Sequence, residues 1–252
     1  SSGGIDSAVV QALASAALGA ENVHPVLMPS MFSSDHSVSD AELLSKNLDN
    51  DAITIPIKNI YDTYLDALQP VFQGKPFNLA EENLQARSRA VLLMAISNKL
   101  GYILLNTSNK SELSVGYSTL YGDLCGALSP LGDVYKNQVY ALARYINRNQ
   151  EIIPNHIITK APSAELRPGQ KDADSLPDYD VLDELLKHYI EEHKGVDELI
   201  TMGYDQTTVH KVVDLVNGSE YKRYQAPPIL RVSTKAFGKG RIMPLVANYS
   251  SK

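Results

Sequence analysis

Near its start the chain reads Ser2-Gly3-Gly4-Ile5-Asp6-Ser7 and passes straight into Ala8-Val9-Val10-Gln11-Ala12-Leu13. Two adjacent glycines let a backbone turn through angles that a Cβ forbids and come close to a bound group. Ser7 and the apolar run after it predict the start of a helix closed by Gly19. A turn of this kind aims unpaired N–H groups and the positive end of the helix dipole at one point, which suits a phosphate. The lysine-bearing loop Gly-x-x-x-x-Gly-Lys-Ser/Thr occurs nowhere in the sequence. Where that loop has its lysine, this turn has an acid, Asp6. An acid beside phosphates calls for a cation between them, and Mg2+ takes carboxylate, phosphate and water oxygens. Taken alone, the hexapeptide also reads as an ordinary glycine turn with a serine cap.

The six residues match the Ser-Gly-Gly-x-Asp-Ser motif of the ATP-pyrophosphatase (PP-loop) enzymes, which the chain resembles. The resemblance implies cleavage of ATP between the α and β phosphates to adenylate a substrate oxygen. It implies an α/β fold, a doubly wound, mostly parallel sheet of the adenine-nucleotide α-hydrolase type. It also makes Ser2, Gly3, Gly4, Ile5, Asp6 and Ser7 the ATP-binding turn.

The pattern along the chain agrees with alternating strands and helices. Val23 to Pro29 is a short apolar run that predicts a buried strand, Ala52 to Ile57 predicts a second strand and Tyr102 to Thr107 a third. Between them, helices are expected from Ser37 to about Leu48, from Tyr61 to Leu68, and from Leu79 to Leu100, the last ended by Gly101. That alternation is what a parallel doubly wound sheet requires. Beyond Thr107 the chain turns helix-rich, with amphipathic helices expected at Val134 to Asn147, Asp178 to His193, Val196 to Met202 and Thr207 to Asn217. Ala161 to Pro177, with its prolines and charges, predicts a long loop of the kind that forms a lid. Pro227 to Lys252 predicts short strands and turns at most.

With 252 residues, 44% hydrophobic and 21% charged, the chain can bury a full core and has an ordinary enzyme-like composition. A formal net charge of −6 argues against nucleic acid as a bulk partner. A single cysteine, Cys125, cannot form an internal disulfide, so the expected compartment is a reducing cytoplasm. No apolar run reaches membrane-spanning length. A phosphate turn normally follows a buried parallel strand. Since the turn stands at the head of the sequence, the expectation is a piece of a longer polypeptide that carries that strand upstream.

Asn106-Thr107-Ser108-Asn109-Lys110-Ser111-Glu112 follows the third predicted strand, at the edge where parallel sheets bind ligands. Its residue types can hold phosphate oxygens and a metal, although alone it reads as a polar loop with a helix cap. Together with Leu113 to Asp123 it closely resembles the core of the NAD synthetases. That resemblance implies that Thr107 meets ATP and that Glu112 meets both the metal and the dinucleotide. It implies that Lys136 reaches the ATP phosphates and that Ser163, in Pro162-Ser163-Ala164-Glu165-Leu166, contacts ATP from the lid. It assigns Asn83 and Arg87, within Glu82 to Arg89, and Lys222, within Glu220 to Arg223, to the deamido-NAD substrate. On their own, Arg87 and Lys222 read as solvated surface charges. Mg2+ is then the implied metal, held by Asp6 and Glu112, with Asp6, Glu112 and Lys136 as the catalytic groups.

The resemblance runs from Ser2 to about Pro244 and is strongest to the glutamine-dependent branch, judging by Asn109 to Glu112 and Arg167 to Pro177. Leu120 and Ala127 stand where the ammonia-dependent branch has a substrate-binding Lys and an Asp, so those two contacts are not carried over. Residues 1–252 are thus expected to form one synthetase domain, with ammonia released from glutamine by an N-terminal domain outside it. The expected assembly is a homodimer or higher homo-oligomer. Other amidating PP-loop ligases share the glycine turn without the Asn83 to Arg87 and Asn109 to Asp123 segments. A non-catalytic ATP sensor would have no use for two metal carboxylates.

Overall fold

The computed structural model describes residues 1–246; the end of the tail expected to form short strands and turns, to Lys252, lies outside the described residues. The chain begins with α1 (Ile5–Leu18), whose N-cap is Gly4. Helix α1 therefore starts two residues before the predicted Ser7. The Ser7 hydroxyl donates to Gly4 O at 3.0 Å and ties the turn to the helix instead of ending it. Two-residue β1 (Val26–Leu27) follows. Then α2 (Asp35–Asn47) is capped by Ser34, which accepts from Ser37 N, so the Ser37 opening expected from sequence is already one turn inside. β2 (Ile53–Thr54) pairs in parallel with β1, Val26 opposite Ile53. Further bonds from Ile55 N to Leu27 O and Ile57 N to Pro29 O extend the pairing toward α2 and α3.

Helix α3 (Lys58–Phe72) exceeds its predicted length at both ends and runs through Pro70. Helix α4 (Leu79–Leu100) has the predicted bounds. Asn78 and Glu81 form a reciprocal capping box at its start, and Gly101 in the left-handed region stops it. The third predicted strand does not form as a ladder. Tyr102 and Ile103 are exposed, and the segment is paired only at Leu105, in a parallel bridge with Leu128. Extended backbone becomes a strand only where a neighbour takes up its N–H and C=O groups. Among the described residues that neighbour reaches only one position here.

The second half is helical, as expected: α5 (Lys110–Val115), α6 (Lys136–Ile146), α7 (Asn155–Thr159), α8 (Tyr179–Ile190), α9 (Val196–Thr201), α10 (Gln206–Gly218) and α11 (Glu220–Arg223). Short α5, α7 and α11 have no counterpart in the sequence pattern, since one or two turns carry no readable periodicity. Two apolar cores form. One joins α1, Leu44 of α2, Val139 and Ala143 of α6, and Ile157 of α7. The other joins α5, α8, Leu199 of α9 and the Val209, Val212, Val213, Val216 stripe of α10. That stripe has the i, i+3, i+4, i+7 spacing of one helix face. Burying each valine contributes about 1.5 to 3 kcal/mol. Asp6 on α1 and Lys136 on α6 belong to elements of the first core, and Glu112 on α5 to the second. The predicted phosphate and metal residues therefore meet at the seam between the cores.

Candidate active site

Three chain segments converge on Asp6. Its Oδ2 accepts a hydrogen bond from Lys136 Nζ at 2.6 Å, and its Oδ1 accepts from Asn109 Nδ2 at 2.8 Å. Asn109 is also the N-cap of α5, where its Oδ1 accepts from Glu112 N at 3.0 Å. Glu112 Oε1 completes the ring by accepting from Lys136 Nζ at 3.1 Å. The lysine ammonium therefore stands between the two carboxylates expected to hold a metal. The glycine turn below is closed by its own serines, with Ser2 Oγ and Ser7 Oγ 3.1 Å apart. Gly3 has φ +73°, and a Cβ there would lie 2.1 Å from Ser37 O, so α2 packs directly on the turn. The Ile5 side chain belongs to the first core; only its backbone can serve a ligand.

Lys136 is buried and the two carboxylates are partly buried, and this desolvation sets the electrostatics of the cluster. Burial pushes the Glu112 carboxyl up to about 8; Lys136 opposes the rise, while Asp6 and Asp172 add to it. Burial works against the Lys136 charge, but Asp6 and Glu112 outweigh it and hold the ammonium above the ordinary lysine value. Fixed hydrogen bonds keep the two supporting loops in register. Lys136 N donates to Ser111 Oγ at 2.9 Å, Ser111 Oγ donates to Asp183 Oδ1 at 2.5 Å, and Asn137 N donates to Asp183 Oδ2 at 2.8 Å. Lys110, fully buried, binds Asp133 at 2.9 Å and Glu191 at 2.8 Å, together with Ser233 Oγ and the Lys235 carbonyl.

The residues predicted for the dinucleotide substrate form a second group around the loop at 116–123. Asn83 Oδ1 accepts from Thr119 Oγ1 at 2.7 Å. Arg87 Nε donates to Leu120 O at 3.2 Å. Lys222 Nζ donates to Gly116 O and Ser118 O, each at 2.6 Å. Ser163 joins neither group: its hydroxyl donates to Gln170 O at 2.6 Å and accepts from Glu165 N, which folds the lid on itself. The lid lies on α2 through Glu165, which accepts from Ser34 N, Ser34 Oγ and Ser37 Oγ, and on α4 through Gln85 Nε2 to Leu166 O. Thr107 is half-buried between Asn106 and Ser108.

The family model described as NAD synthase matches residues 1–226. The chain belongs to the NAD synthase family. It is 56% identical over 244 residues to a glutamine-dependent NAD(+) synthetase of Synechocystis, covering 97% of this chain and 44% of the relative. To the Thermotoga maritima enzyme of the same name it is 48% identical over 250 residues, covering 98% and 43%. Among solved structures it resembles the glutamine-dependent NAD+ synthetase of Acinetobacter baumannii in complex with ADP, with 43% identity and a TM-score of 0.63, covering 97% of this chain and 44% of that one. The chain thus spans less than half the length of these relatives. The likeness agrees with the expected α/β class with a parallel sheet.

Within this NAD synthase domain the sequence reading passed over several residues of the site. Asn109 lies in a quoted motif, and its spacing to Glu112 is a capping signature that could have marked it. Asp172, in the expected lid, accepts from Tyr179 OH at 2.9 Å, and the centre of the Tyr179 ring lies 5.3 Å from Lys136 Nζ. Asp123 is exposed at the end of the substrate loop and closes it, its Oδ1 accepting from Thr119 N at 2.5 Å. Nothing in the sequence alone could have revealed Asp183, which lies 46 residues after the Asn137 N–H it accepts.

The donors present suit a divalent cation. Asp6 and Glu112 offer hard oxygens, and the Lys136 ammonium already sits between them as a positive charge.

Proposed function

We propose that the chain catalyses the ATP-dependent conversion of deamido-NAD to NAD, with ammonia drawn from glutamine by a separate domain. The observation that carries this reading is the Asp6–Lys136–Glu112 cluster at the head of the glycine turn, flanked by the Asn83, Arg87 and Lys222 group. The names of its relatives support it, as does the ADP bound in the Acinetobacter baumannii structure.

In the proposed reaction the nicotinate carboxylate attacks the ATP α-phosphate and gives an acyl-adenylate and pyrophosphate. Ammonia then attacks the activated carbonyl and releases AMP. A bare carboxylate would have to expel oxide, whereas the adenylate expels AMP. The first-turn N–H groups of α1 have no helical acceptor and would hold the leaving pyrophosphate. Lys136 would turn its ammonium onto the β and γ phosphates. Asp6 and Glu112 would hold Mg2+, which when bound neutralises phosphate oxygens and lowers repulsion to in-line attack. Asn109 would keep both carboxylates aimed by bonding Asp6 and capping the helix that carries Glu112. Thr107 and Ser163 would meet ATP, and Asn83, Arg87 and Lys222 the dinucleotide. The chemistry is positioning and charge stabilisation, and no covalent enzyme intermediate enters. Exposed apolar side chains on α3 and α4, among them Val71, Val91 and Leu100, support work as a homo-oligomer.

The test is product analysis with Mg-ATP and deamido-NAD, once with ammonium and once with glutamine. NAD and AMP in equal amounts with ammonium are expected. ATP binding without AMP release in either tube would refute the reading and favour a nucleotide sensor.

A further inference from the structure

Asp172 belongs to the lid and not to the loops that present Asp6 and Glu112. It is only 4% exposed. One carboxylate oxygen, Oδ2, accepts from Tyr179 OH. The other, Oδ1, is buried without a well-formed hydrogen bond, although the Tyr117 phenol also faces the carboxylate. A buried polar atom left bare costs on the order of 1–3 kcal/mol, and native structures retain few of them. The centre of the Tyr179 ring lies 5.3 Å from Lys136 Nζ, so the carboxylate stands one aromatic side chain away from the same cluster and acts electrostatically on its charges. Once Lys136 turns to the phosphates, the carboxyls of Asp6, Glu112 and Asp172 have no cation among them, and a dication in its place would favour their ionised forms.

Positioning Tyr179 and Tyr117 does not account for this arrangement, because a neutral amide oxygen would accept from the same phenols. We propose that Asp172 is a third carboxylate ligand of the divalent cation held by Asp6 and Glu112, brought in by the lid with its bare Oδ1 as the donor atom. The inference rests on the reading of Asp6 and Glu112 given above. Among the described residues no three acidic or imidazole side chains are gathered tightly enough to chelate an ion in the ligand-free arrangement. Completing the site therefore needs two moves: Lys136 leaves for the phosphates, and the lid carries Asp172 the remaining distance. A cation site finished by the lid is complete only when the lid is shut. That links metal binding to the exclusion of water from the acyl-adenylate.

The experiment measures Mn2+ binding by electron paramagnetic resonance, with α,β-methylene-ATP as the uncleavable nucleotide. It compares the wild-type chain, Asp172→Asn and Asp174→Asn. Asp174 lies on the same lid turn but is largely exposed, pairing with Arg167. Asp172→Asn is expected to weaken Mn2+ about 10-fold or more, with Asp174→Asn within about twofold of wild type. With chelator in place of metal, all three proteins are expected to bind the nucleotide equally. An unchanged Mn2+ affinity in Asp172→Asn would overturn the proposal and leave the reading of Asp6 and Glu112 standing. Failure of the wild type itself to bind Mn2+ with the nucleotide would bring down both, and it is visible before any substitution is made. Should Asp172→Asn not fold, anomalous diffraction from wild-type crystals with Mn2+ and the analogue decides. A peak about 2.1 Å from Asp172 Oδ1 is the expected ligand distance, and a peak beyond about 4 Å would overturn the proposal.

Discussion

Replacing Lys110 by methionine tests whether the buried ion network behind the site holds the fold. Methionine keeps most of the volume and removes the charge. The ammonium lost serves Asp133 and Glu191 directly, and both Lys110 and Asp133 have side chains at 0% exposure. Breaking a buried pair from one side costs about 3–5 kcal/mol, because the remaining charge stays buried. Asp133 would keep Val232 N, Ser233 N and Ser233 Oγ, and Glu191 would keep Thr234 Oγ1. The cost therefore belongs at the lower end, about 3 kcal/mol, or a shift of about 1–2 M in the urea midpoint. The difference should also depend on pH. Burial tends to raise both acids, but Lys110 and the neighbouring donors outweigh it and hold them below the usual carboxylate range. A carboxylate whose folded pKa is depressed adds stability above its unfolded value, near 4, and loses it as pH falls through the folded value. The gap between wild type and Lys110→Met is therefore widest at pH 7 and closes toward pH 3. Urea melts across that range decide. A cost below about 1 kcal/mol at pH 7, or one that stays constant down to pH 3, would refute the reasoning.

Asp6→Asn keeps the side-chain shape but only one of the two acceptors that Lys136 and Asn109 use, and should leave circular dichroism unchanged while lowering AMP release by at least about 100-fold; near-normal turnover would remove Asp6 from the cation site. Gly3→Ala puts a methyl 2.1 Å from Ser37 O at φ +73° and should cost about 1–3 kcal/mol in thermal melts, together with weaker ATP binding in calorimetry. Glu165→Ala removes the acceptor that three Ser34 and Ser37 donors share. Amide exchange across 161–177 should then rise about 5- to 30-fold, and an unchanged rate would mean that Glu165 does not fasten the lid. In the wild type, ATP should slow exchange across the same residues.

What the sequence made legible was the part of the site written in short, contiguous stretches. The Ser2 to Ser7 turn fixes its local geometry within six residues, so Asp6 could be named from the residues themselves. Glu112, Lys136, Asn83, Arg87 and Lys222 were reached through the resemblance, because a single polar side chain has no local pattern to mark its role. Partners set by tertiary approach stayed hidden: Asp183 under Ser111, and Asp172 arriving from the lid, are joined to the site only by folding. The strands were over-read for a related reason. Tyr102 to Thr107 has strand composition, but a ladder depends on its neighbour, and pairing reaches only Leu105.

The substrate group has a property that bears on affinity. Asn83 Oδ1, Arg87 Nε and Lys222 Nζ are each bonded to the chain's own loop at 116–120. If the proposed dinucleotide binds there, it competes with the chain's own loop, and its dissociation constant would be the difference between two sets of bonds. A stretch of loop that mimics a guest keeps three polar side chains from standing bare between turnovers. It also rejects any molecule that offers fewer acceptors than the loop gives up. Loosening that loop, with no change to a single contact residue, would raise affinity and lower selectivity together.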